Sequence, residues 1–81
     1  MRLSPEEYQG NAKIRRALAE NMLVCAAEEE EAGRIDLAAL DRKIASKLMN
    51  DAEALEEKAT RALLDVSLRF AERRHNLRKG R

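Results

Sequence analysis

Alanine returns every seven residues through the second half of the chain, at Ala38, Ala45, Ala52 and Ala59, with Val66 next in line. The first half carries its own column, Ala12, Ala19 and Ala26, continued by Gly33. A seven-residue step returns to nearly the same face of an α-helix, and small residues on that face let two helix backbones lie close together. Three residues beyond the second column stand Asp41, Leu48, Leu55 and Ala62, which bring larger side chains alongside. The pattern predicts an all-α protein built on a packed helix–helix seam. Composition agrees, because the apolar 44% is mostly Ala and Leu and only one Tyr and one Phe are present, the balance of long helices rather than sheet.

The ends of the helices are written locally. Ser4 can accept from a free amide of a first turn, Pro5 fits where no amide is needed, and Glu6 and Glu7 suit the positive end of the helix dipole. Tyr8, Ile14, Leu18, Met22 and Cys25 then recur as an apolar stripe, so helix 1 is expected over about residues 5–31. Gly33 is a natural stop and Asp36 a natural cap, which places a turn at 32–36. A second helix is expected over about 37–79, with Leu37, Leu40, Ile44, Leu48, Leu55, Leu63, Val66, Phe70 and Leu77 at helical spacing. Asn50, Asp51 and Glu53 offer an internal cap, and the alternative to one long helix is a break there with a third helix folding back. The periodicity crosses Asn50 without changing phase, which favours the single helix.

A short turn makes consecutive helices antiparallel neighbours. The expected architecture is therefore an antiparallel helical hairpin forming a single domain over residues 1–81, its second helix the longer. With its alternation of small and large columns it resembles the small helical hairpins that dimerise into four-helix bundles, though its unequal helices depart from their matched pairs. That resemblance implies a dimeric helical bundle. At 1.5 Å per residue helix 1 reaches about 40 Å and helix 2 about 65 Å, so helix 2 must overhang. Along and beside the overhang, Leu55, Ala59, Leu63, Val66, Phe70 and Leu77 form a line that water would leave sticky, and these are the expected contacts with a second copy or another protein.

Charge is polarised along the chain. From Arg69 to Arg81 six basic side chains face one acid, a balance of +5 that leaves −4 for the remainder of a chain whose total is +1. Arg73, Arg74 and Arg78 are expected to steer an acidic protein partner. The rival reading is a nucleic-acid accessory role for the basic end, which the near absence of aromatic residues for base stacking disfavours. Glu28, Glu29, Glu30 and Glu31 run together where helix 1 ends and are expected to form the acidic rim of the turn, in electrostatic contact with the basic end of another copy. Arg16 has Glu20 at pairing distance on its own helix, and Asn21 lies near the apolar stripe, where it either fixes register or faces water.

Chemistry finds little footing. Cys25 falls on the apolar stripe as a small hydrophobe, and the lone His75 is far along the other helix, so no nucleophile–base pair is expected. Consecutive glutamates on a helix diverge by about 100° and do not converge on one ion, and no ligand set suits zinc. No catalytic, metal or cofactor site is expected. The chain has no apolar run of the roughly 20 residues a membrane span needs and no signal-peptide core, and its single cysteine forms no internal disulfide. The expected compartment is the cytoplasm.

Overall fold

The structure, a computed structural model, describes residues 3–79, with side chains for residues 3–75. Two helices pack against each other, and among the described residues there is no strand. Helix α1 spans Pro5–Glu31. It opens on a capping box in which the Glu7 amide donates to Ser4 Oγ at 3.2 Å and the Ser4 amide donates to Glu7 Oε1 at 3.3 Å. Two donors that no helical turn would satisfy are thus taken up by a reciprocal pair.

The end of α1 shows why Gly33 is where it is. The Arg34 amide donates to the Glu29 carbonyl at 2.7 Å and the Gly33 amide to the Glu30 carbonyl at 3.1 Å, the paired bonds of a Schellman closure. That closure needs one residue in the left-handed region, and Gly33 supplies it at φ 81°. The next helix follows at once, because the Arg34 carbonyl already accepts from Ala38 at 3.1 Å. Helix α2 spans Ile35–Lys79, so Asp36 sits inside its first turn instead of capping it, and Arg34 occupies the cap position. The helix continues through Asn50 and Asp51, because those polar side chains are exposed and nothing competes for their backbone.

Contacts between the helices run in opposite chain order. Glu30 of α1 meets Arg42 of α2, Arg16 meets Glu56, and Leu3 and Tyr8 lie beside Arg61, Ala62 and Asp65. Among the described residues the core between them consists of alanine: Ala12, Ala19 and Ala26 from α1 and Ala38, Ala45, Ala52 and Ala59 from α2 are buried, and no larger side chain described is. Both seven-step columns therefore face the seam, apart from Gly33, exposed in the turn, and Val66 at the far end, which is 46% exposed. The flanking column Asp41, Leu48, Leu55 and Ala62 is half-buried, as are Tyr8, Arg15, Met22 and Glu29, which hold the equivalent places on α1.

The apolar stripe read on helix 1 does not face this core. Ile14 is 60% exposed, and Leu18 and Cys25 are also exposed. When alanine methyls set the helix separation, a longer side chain does not fit between the backbones and is displaced to the flank. Asn21 is likewise exposed. The molecule is accordingly thin, with extents of 74 × 20 × 14 Å.

Candidate functional site

Helix α1 starts beside residues 61–65 of α2, so beyond Asp65 the longer helix has no helix packed against it among the described residues. This overhang follows from chain length alone, 27 residues in α1 against 45 in α2. On it Val66, Arg69, Phe70 and Arg73 share one side at helical spacing and line a shallow notch. Phe70 is 61% exposed, and Leu63 and Val66 are each 46% exposed, values far from those of core residues. Arg69, Arg73 and Arg74 are exposed around them.

The residues expected to meet a partner therefore divide. Leu63, Val66, Phe70, Arg73 and Arg74 lie together on or beside the overhang, open to solvent. Leu55 is half-buried next to Arg15, Asp51 and Lys58, lower on the helix. Ala59 is only 1% exposed and belongs to the seam, so it has no surface to offer a second molecule. Its column position assigned it to a packed interface, and that interface is the one with α1. The side chains of Leu77 and Arg78 lie outside those described.

The four glutamates of the turn have different surroundings. Glu30 accepts from both terminal nitrogens of Arg42, and this guanidinium holds its carboxyl below the usual range. Glu29 is half-buried, with Asp41 beside it, and its Oε2 is buried without a hydrogen-bond partner. Loss of hydration, then the neighbouring Asp41 carboxyl, raise the Glu29 carboxyl above its ordinary value, with Arg34 acting the other way. Glu28 and Glu31 are exposed. Arg42 thus offsets part of the misfit between acidic side chains and the negative end of α1.

Arg16 pairs with Glu56 on α2 and not with Glu20 on its own helix, and its Nη1 also lies 3.8 Å from Met49 Sδ. A partner 40 positions away is invisible to spacing rules within one helix. Sequence reasoning also passed over Glu29 and Asp41 as a pair. The signal was present, since each lies three residues from a seam alanine, Ala26 and Ala38, on facing helices.

Among the described residues no cluster of three or more His, Cys, Asp or Glu side chains is placed to hold a metal ion. Cys25 and His75 are both exposed. No helix among the described residues is long and apolar enough to cross a membrane. No family model, no curated protein and no solved structure matches this chain.

Proposed function

We propose that the chain is a small, non-catalytic protein-interaction module that works by covering a partner's surface, as adaptors, chaperones and inhibitors of larger machines do. The two helices form an antiparallel hairpin that assembles with a second copy into a dimeric helical bundle. The observation that carries this reading is the overhang, where Leu63, Val66 and Phe70 stand exposed beside Arg69, Arg73 and Arg74. An apolar line rimmed by charge is the usual dress of a docking surface, and the basic rim favours an acidic partner. An all-alanine seam adds support, because it buries little apolar area per residue and leaves a short chain in need of further burial.

The test is substitution on the overhang. Phe70→Asp and Leu63→Asp are each expected to abolish association while leaving helix content intact by circular dichroism, since neither side chain is buried within the monomer. Unchanged mass by light scattering in both variants overturns the reading. The exposed arginines favour a second reading, a nucleic-acid accessory factor that presents Arg69, Arg73 and Arg74 to phosphates. Salt separates the two. Binding to phosphates weakens steeply as salt rises, because the release of condensed counterions then gains less entropy, whereas apolar docking changes little.

A further inference from the structure

The two broad faces of the helix pair differ. Each residue advances about 100°, so the residue four after a seam alanine turns to one side of the seam and those three and six after it turn to the other. The first side carries the pairs of Glu30 with Arg42 and Arg16 with Glu56. The second is a shallow groove with half-buried Met22 and Leu48 along its floor and exposed Leu18 and Ile44 at its rims. Towards the turn the floor becomes acidic, with Glu29 and Asp41 half-buried side by side.

We infer that the α2 overhang of a second copy occupies this groove, laid antiparallel so that Val66 and Phe70 cover Leu48 and Ile44 while Arg73 faces Asp41 and Glu29. The inference rests on the self-associating module proposed above and specifies its register. Two-fold symmetry then gives each copy one overhang seated and one groove filled.

Three observations converge on it. The first is register. Helix α2 spans Ile35–Lys79, so two such helices overlapped antiparallel about their common midpoint set together residues whose numbers sum to 35 plus 79, or 114. That condition pairs Val66 with Leu48, Phe70 with Ile44 and Arg73 with Asp41, apolar on apolar and base on acid, with no adjustment of the overlap. The second is charge. The segment from Arg69 onward carries +5 and the remainder −4, and the groove's acidic end holds Glu29 Oε2, which is buried with no hydrogen-bond partner among the described residues. The third is area. The chain exposes 6938 Å² at 9.2 kDa, whereas a compact monomer of that mass exposes about 4900 Å². The excess of about 2000 Å² per chain matches what each partner of an obligate dimer buries.

The native Cys25, alone and exposed, reads the register directly when it carries a spin label. The pairs of Arg16 with Glu56 and Glu30 with Arg42 put it level with residue 47 of α2, about 10 residues from the midpoint, so antiparallel copies place the two labels about 30 Å apart or more, and parallel copies under about 20 Å. Light scattering on the unlabelled protein is expected to give the mass of a dimer, because Cys25, six after Ala19, stands at the groove rim. Arg73→Glu is expected to weaken that dimer about tenfold without loss of helix, and adding Asp41→Arg to recover it. A dimer with the short label distance, or one in which the second substitution recovers nothing, overturns this register and leaves self-association standing. A monomer overturns both. Species that grow with concentration beyond a dimer overturn the closed two-fold arrangement.

Discussion

Glu30 and Arg42 meet fork to fork across the seam, Arg42 Nη1 donating to Oε1 at 3.3 Å and Nη2 to Oε2 at 2.5 Å. One residue earlier, Glu29 turns instead towards the Asp41 carboxyl. Two neighbours in an acidic run thus take opposite electrostatic parts, because successive helical residues point about 100° apart and meet different residues of α2.

Their pH dependences have opposite signs. Glu30 titrates below its ordinary value of 4.5, so its stabilisation is present above that value and is lost as pH falls through its folded pKa. Glu29 titrates above 4.5, so the folded state takes up its proton first, and stability improves as pH falls through its folded pKa towards the unfolded one. Glu29→Gln removes the second effect. The variant is expected to be the more stable at neutral pH, with its advantage shrinking as pH falls towards 4.5. Denaturant midpoints measured across that range check this, and an advantage independent of pH would count against the assignment.

Two glycines predict opposite outcomes from the same change. Gly10 lies inside α1 with open space where a Cβ would stand, so Gly10→Ala removes only the entropic cost of glycine in a helix and is expected to stabilise by about 1 kcal/mol. Gly33 also has open space, but its φ is 81°. Gly33→Ala therefore meets backbone strain and is expected to destabilise by about 1 kcal/mol, with Gly33→Asn losing less. Thermal melts of the three variants decide it.

The capping box gives a third expectation. Ser4→Ala leaves the Glu7 amide without its 3.2 Å partner, while the backbone amide of residue 4 that donates to Glu7 Oε1 is kept. A loss of about 1 kcal/mol is expected in chemical denaturation, and Ser4→Asp, which keeps an acceptor oxygen, is expected to recover most of it.

What the sequence disclosed of this fold and what it hid have one physical origin. The alanine columns were legible because a seven-residue repeat of one small residue has little explanation other than close backbone approach, and Ser4 and Gly33 because caps are written within a few residues. The apolar stripe through Ile14, Leu18 and Cys25 misled, since periodicity identifies a face but not which of two adjoining faces a neighbour will occupy. The alanines hold the seam and the large residues flank it. Ion pairs such as Arg16 with Glu56 were hidden because they depend on the register between helices, which no local spacing encodes. Of the site, the exposed line of Leu63, Val66 and Phe70 was readable from helix lengths, whereas the groove with Met22, Leu48, Glu29 and Asp41 needed the packing of α1 on α2 first.

The seam itself supplies the sharpest stability test. Ala52 is fully buried midway along it, at 0% exposure, where two backbones approach over a methyl group. Ala52→Leu adds three heavy atoms with no cavity to receive them, so the helices must separate locally or the side chain must leave its preferred rotamers. The expected cost is about 1–3 kcal/mol, seen as a lowered denaturation midpoint. The same change at Ala54, exposed on the same helix, is expected to be nearly neutral, because leucine is nearly as good a helix former and the position is open to solvent. Equal effects at the two positions would mean that the alanine columns record only helix propensity. A loss confined to Ala52 ties them to the packed seam, and with it the placement of the groove and overhang.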